Sequence, residues 1–259
     1  MRHANVDAAR KGVVGAAHGQ APRLVVQGDL AHNNAVTLRA NVAPQIAGNF
    51  FTVNLRNVRS AFEQVPWVRS AQVRREYPRT LRVQLQEHRA VAHWGPESGS
   101  SMVNSEGEVF ESNGVDAELD DLPRLMGPVG TSEQVLAMEQ ALLPVFEPLG
   151  LELSGLELST RGGWRASFDG DAAIELGSGT PPEVVQRTRN FAETLTRVAA
   201  QFGRRADALE SADLRHTGGY ALRLRGVSTV AAQGTPRAAR HQLLPGSGAK
   251  GAVAPSAKP

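Results

Sequence analysis

Between Gly48 and Trp94 the chain carries local instructions for one helix and two strands. Asn54 is a good helix N-cap, with an oxygen that can accept from an orphan N–H of the first turn. Leu55, Val58, Phe62 and Val65 then recur at helical spacing and make one apolar stripe. Pro66 stops the helix, because it lacks the N–H a further turn needs. Trp67, Ala71, Val73 and Tyr77 share one strand parity, broken by Arg69 and Arg75. Pro78-Arg79-Thr80 turns the chain. Leu81, Val83 and Leu85 alternate with Arg82, Gln84 and Gln86, as in a half-buried strand. Upstream, Leu24-Val25-Val26 reads as a short strand. Asn33 and Asn34 can cap a helix carrying Val36, Ala40 and Ala43 that ends near Pro44. The resulting β-α-α-β-β order predicts one sheet with two helices on one face.

Downstream the pattern becomes strand-rich. Gly95 to Ser101 is a polar turn, either a hairpin tip or a linker. Thr131, with Gln134 in the capping-box position, predicts a helix along Val135, Met138 and Leu142 that ends at Pro144 and Pro148. Strands are expected at 151–158, 164–168 and 172–176, joined by Arg161-Gly162-Gly163 and Asp169-Gly170-Asp171. Thr180-Pro181-Pro182-Glu183 opens a long helix with a cap, a proline at the first helical position and a box glutamate. Closing strands are expected at 212–215 and 220–224. Residues 1–21 read as a flexible lead-in and 228–259, rich in Ala, Gly, Pro and Ser, as a disordered tail.

The 28 basic and 26 acidic residues leave a formal charge of +2, too little for a global field toward nucleic acid. Arginines crowd the hairpin region, but Tyr77 is the only aromatic in its strands beyond Trp67. Nucleic-acid-binding sheets add stacking aromatics, so a solvated or protein-contacting face outweighs nucleic acid. The absence of cysteine removes thiolate metal sites, thiol nucleophiles and disulfides. No apolar run reaches the roughly 18–20 residues of a membrane span.

Candidate chemistry is sparse. Gly177-Ser178-Gly179 has part of a dinucleotide fingerprint, but Pro182 holds the third glycine position and the neighbours read as antiparallel hairpins; a plain strand-to-helix turn outweighs it. His88 and His93 have neither helical nor strand metal spacing and no third ligand nearby. The carboxylates Glu106, Glu108 and Glu111, and those from Asp116 to Asp121, lack a calcium-loop pattern and read as a solvated loop, with a docking surface the lesser alternative. No nucleophile-elbow, zincin or P-loop pattern occurs. The strand Tyr220-Ala221-Leu222-Arg223-Leu224 stands beside the tail, so it is expected at a sheet edge. It is either a plain edge guarded by Arg223 and Arg225 or a surface to which a partner strand adds.

Several pieces, in order, resemble the FtsQ/DivIB family of bacterial cell-division proteins: Val26-Gln27-Gly28, Gly48-Asn49-Phe50-Phe51, Val65-Pro66-Trp67-Val68, Tyr77-Pro78 with Leu81, and Glu87-His88-Arg89-Ala90-Val91-Ala92. Ser101 to Asn104 with Gly107 to Phe110, Leu122 to Leu125 with Gly127-Pro128, and Asp213-Leu214-Arg215 extend the resemblance. It implies an α+β protein: a POTRA domain (β-α-α-β-β) at 22–91, then a β-rich domain of antiparallel strands with two helices at 92–227. It implies a non-enzymatic scaffold without cofactor or metal, which links septal components on the periplasmic side of the inner membrane. FtsB- and FtsL-type partners would bind through the C-terminal strands, and other division proteins through the POTRA domain. The matching partner-binding residues are Arg161, Arg215, His216, Gly218, Gly219, Tyr220, Leu222 and Leu224; the family often has Tyr where His216 stands. The family's single membrane helix precedes the POTRA domain, a place held here by residues 1–23, which are not apolar enough to span. The alternative is a POTRA-type chaperone for exported polypeptides, which calls for a large barrel or tandem POTRA units.

Overall fold

A computed structural model of the chain describes residues 12–14, 22–28, 30–34, 38, 42, 44, 49–112, 119–216 and 218–227. The first sheet holds strands β1 (Gly12–Val14), β2 (Arg23–Gly28), β3 (Val68–Glu76) and β4 (Thr80–Glu87) in the order β1-β2-β4-β3. β2 runs parallel to β4, and the other two pairings are antiparallel. Helix α1 (Leu55–Glu63) begins as expected: the Asn54 side chain accepts from the Arg56 N–H at 2.9 Å. Its Val58, Ala61 and Phe62 bury against Leu81, Val83 and Leu85 of β4. Leu38 and Val42 are helical and buried in the same core, and the Leu38 N–H donates to the Asn34 carbonyl at 3.1 Å. Val36, Ala40 and Ala43 of the expected first helix lie outside the described residues.

Two features of this sheet differ from the sequence reading. Gly12–Val14 is a strand within the stretch expected to be a flexible lead-in. It pairs with β2 on the side away from β4, where the β2 backbone groups otherwise have no partner; the remainder of 1–21 lies outside the described residues, as does 228–259. The parity break at Arg69 has a cause: the register between β3 and β4 shifts between Val68 and Ser70, a bulge that re-aims one side chain.

The second sheet has nine strands: β5 (Ala90–Trp94), β6 (Ser101–Asn104), β7 (Val109–Glu111), β8 (Arg124–Met126), β9 (Leu153–Leu158), β10 (Gly163–Phe168), β11 (Ala173–Ser178), β12 (Leu209–Asp213) and β13 (Ala221–Leu224). Their order is β13-β12-β11-β10-β9-β8-β5-β6-β7. Helices α2 (Ser132–Phe146) and α3 (Pro181–Gln201) complete a strand-rich α+β domain. The sheet is mixed rather than antiparallel, since β8 is parallel to β5 and β9, and β12 to β11. α2 joins β8 to β9 and α3 joins β11 to β12, and a helical crossover returns the chain to the same end of the sheet. Residues up to Arg225 form one compact unit.

The helix ends show which local signals hold. At α3 the capping box forms, with the Thr180 N–H donating to Glu183 Oε2 at 2.8 Å. At α2 it does not: Thr131 Oγ1 donates instead to the Pro128 carbonyl at 2.7 Å. α2 also runs through Pro144 to Phe146. Proline withholds one donor from the turn before it, and the carbonyl left over belongs to exposed Gln140, where water can serve it.

Candidate functional site

β13 ends the second sheet, and no described strand lies beyond it. It is one residue shorter than the closing strand expected at 220–224, and its partner lies at Leu209–Asp213 rather than at 212–215. Its orientation follows from one bond. The Arg225 N–H donates to the Ala208 carbonyl at 2.8 Å, toward β12. Backbone groups alternate sides along a strand, so those of Arg223 and Ala221 also face β12. Those of Leu222 and Leu224 therefore face the open margin. The register agrees, pairing Ala221 with Asp213, Leu222 with Ala212 and Leu224 with Leu209, and the irregularity lies on β12. The Leu222 side chain is half-buried and that of Leu224 is buried. The two arginines expected to guard the edge are engaged with the protein itself: Arg223 with Glu210 at 3.3 Å, and Arg225 with the Gly170 carbonyl.

Tyr220 stands just before the strand and points inward. Its ring meets Phe191 of α3 edge-on at 4.9 Å, and its hydroxyl shares a hydrogen bond with Thr194 Oγ1. It fixes the start of β13 to the helix. His216 is exposed, as are Gly218 and Gly219, and nothing lies within 4 Å of where a Cβ at either glycine would stand. Thr217 lies outside the described residues.

Arg161 and Arg215, far apart in sequence, line one cleft of about 620 Å³ together with Arg165, Arg187, Glu157 and Glu175. Most of these cations are occupied. Arg165 pairs with Glu175 at 3.0 Å. Arg187 donates to the carbonyls of Leu176 and Ser178. Arg215 forks onto Asp213, its Nη2 reaching Oδ2 at 2.6 Å. That fork, with a bond from the Arg215 backbone N–H, pulls the Asp213 carboxyl down to about 2. Arg161 is exposed on the β9–β10 turn and forms no ion pair among the described residues. The cleft thus offers an unpaired cation beside a braced one, an arrangement suited to a carboxylate.

The other sequence candidates find structural roles. Gly177-Ser178-Gly179 does lie in a strand–helix–strand crossover with parallel strands, contrary to expectation. The α3 N-terminus is nonetheless filled by the protein's own Glu183, whose carboxylate is held below its usual range by the Thr180 N–H and side chain. Glu106 and Glu108 are not a free acidic loop. Arg69, re-aimed by the bulge in β3, meets Glu108 at 2.7 Å and Glu106 at 3.3 Å. Glu108 also accepts from Asn104 Nδ2 at 2.7 Å, and Asn104 donates to His88 Nδ1 at 2.9 Å. Trp67, Met102 and Phe110 pack beside this network, with Trp67 stacked on His32 at 3.7 Å and Phe110 on His88 at 4.2 Å. This junction between the two sheets was not read from the sequence; the parity break at Arg69 was its one trace. His93 Nε2 bonds the Leu119 carbonyl at 2.9 Å.

Comparison with known proteins places these features in a family. Residues 22–88 match the family model of the FtsQ-type POTRA domain, and residues 92–215 that of the cell division protein FtsQ/DivIB, C-terminal; the latter stops short of β13. The chain is similar to the cell division protein FtsQ of Thiomonas arsenitoxydans, with 38% identity over 78% of this chain and 74% of the relative. For the FtsQ of Burkholderia pseudomallei the identity is 37%, over 78% of each chain. For that of Xanthomonas campestris it is 33%, over 85% of this chain and 75% of the relative. No helix among the described residues is long and apolar enough to cross a membrane. By these matches, and by its POTRA order followed by a strand-rich domain, the chain belongs to the FtsQ/DivIB family of bacterial cell-division proteins.

Proposed function

We propose that the chain is a non-enzymatic division scaffold that recruits an FtsB-type partner, with FtsL, by strand addition to β13. The observation that carries this reading is the open margin of β13, where the backbone groups of Leu222 and Leu224 face away from β12. An incoming strand would take main-chain bonds there. Carboxylates of the same partner would reach the cleft holding Arg161 and Arg215. His216, Gly218 and Gly219 form the exposed approach to the edge, and Tyr220 braces it from within. Residues 22–91 act as the docking domain for other division proteins and 92–227 as the partner-binding domain. Both work on the periplasmic side of the inner membrane at the septum.

Leu222→Pro tests the edge. It removes an N–H that faces the open margin, not one bonded to β12. Co-purification with an FtsB-type helix–strand segment should be abolished while the first domain stays folded. Unchanged capture would leave strand addition without support.

A further inference from the structure

The two most exposed aromatic side chains of the described residues stand together at one end of the first sheet. Phe51 is 71% exposed and Tyr77 78%. Both rest edge-on against buried Phe50, with centroids at 5.2 and 5.6 Å. Scattered exposed apolar residues need no explanation, but a pair on a shared apolar floor does. The turn that presents them is braced. Asn49 Oδ1 accepts from the N–H groups of Phe51 and Thr52 at 2.9 and 3.0 Å. The Arg75 guanidinium donates to the carbonyls of Phe50 and Val53 at 3.2 and 2.6 Å.

The tip is also cationic. Arg75 is bonded to neutral carbonyls, which leave its charge uncancelled, while Arg74 bonds Gln72 and also lies near enough to Glu76 to favour its ionised form. Arg79 lies in the same turn as Tyr77. Arg23 is in register with Thr80, and its N–H donates to the Arg79 carbonyl at 2.7 Å, so it shares this end of the sheet. The carboxylate nearest in sequence, Glu76, is taken by both Nε and Nη2 of Arg82.

We propose that this tip contacts the surface of an anionic bilayer, with Phe51 and Tyr77 entering the boundary between headgroups and acyl chains and the arginines meeting lipid phosphates. The apolar groups project from two turns rather than lining a groove, and Tyr77 has a polar end. Aromatic rings ringed by arginine suit a membrane interface. The proposal rests on the membrane-side location given above. It assigns the first domain a fixed face toward the lipid.

The test uses the full chain with vesicles of phosphatidylcholine, with or without phosphatidylglycerol. Of the three native tryptophans Trp67 and Trp164 are buried and Trp94 is half-buried, so the indole added by Phe51→Trp is read as the difference in emission from the parent. Its emission should shift blue on vesicles containing phosphatidylglycerol and be quenched by brominated acyl chains. In Phe51→Ser/Tyr77→Ser, vesicle affinity should fall about tenfold, equivalent to about 1.4 kcal/mol. Its unfolding midpoint should match the parent, and binding should weaken as salt rises. Unshifted Phe51→Trp emission, or a double variant that binds as the parent does, overturns the proposal. Capture of the FtsB-type segment by the same variants is expected to be unchanged, which separates this result from the strand-edge reading.

Discussion

At the scale of single residues, Asp213 shows how the end of β12 is held. Its Oδ1 accepts from the Arg215 backbone N–H at 3.0 Å and from Nε at 2.9 Å, and its Oδ2 accepts from Nη2. The Arg215 side chain, then its backbone N–H, lowers the carboxyl from an ordinary 3.8 to about 2. A depressed carboxylate binds fewer protons folded than unfolded. Its stabilisation is therefore complete above about pH 4 and is lost as pH falls toward 2. Asp213→Asn should be less stable than the parent at neutral pH, and the gap should close across that window. Urea unfolding at several pH values checks this; a gap that persists at pH 2 would separate the effect from ionisation.

At the scale of elements, β13 has two unlike rows of backbone groups. Amides of Ala221 and Arg223 face β12, and Tyr220 ties the strand to α3. Hydrogen exchange should alternate, slow at Ala221 and Arg223 and fast at Leu222 and Leu224. Adding an FtsB-type segment should slow the second pair. Tyr220→Phe, which deletes one hydroxyl bond of about 1 kcal/mol, should speed exchange at Ala221 and Arg223. Uniform exchange along the strand would contradict this orientation. Local rules made much of this scale legible in the sequence: the Asn54 cap, the Thr180 box, the Leu81-Val83-Leu85 alternation and the edge position of the last strand. What they missed depends on contacts distant in sequence. Parallel pairing of β11 with β12 follows from the α3 crossover, which periodicity does not report. The Thr131 hydroxyl is turned to donate to the Pro128 carbonyl and accepts no N–H from the first turn of α2. The convergence of Arg161 with Arg215 needs the strand order, and Tyr220 looked like an edge residue because nothing local reveals Phe191 beside it.

At the scale of the molecule, the junction between the sheets decides whether two domains behave as one. Trp67 is central: its backbone is left-handed, with φ 70°, a conformation uncommon for a bulky side chain and retained only where packing enforces it. Here the ring lies between His32 and Phe110. His88 stacks on Phe110, and burial lowers its pKa below the ordinary 6.5. Glu108 and Glu106 oppose that shift and Arg69 adds to it. A histidine held neutral stabilises the fold above about pH 6.5, and that contribution is lost as pH falls through its lowered folded-state value. The junction should therefore loosen on acidification. Calorimetry of the parent at pH 7.5 should give one cooperative transition. Trp67→Ala, removing a buried side chain worth about 3–5 kcal/mol, should split it into two. Acidification below the ordinary histidine range should move the parent in the same direction, whereas a His88→Gln variant should lose that part of the pH dependence. A single transition in Trp67→Ala would mean that the sheets are coupled through other contacts.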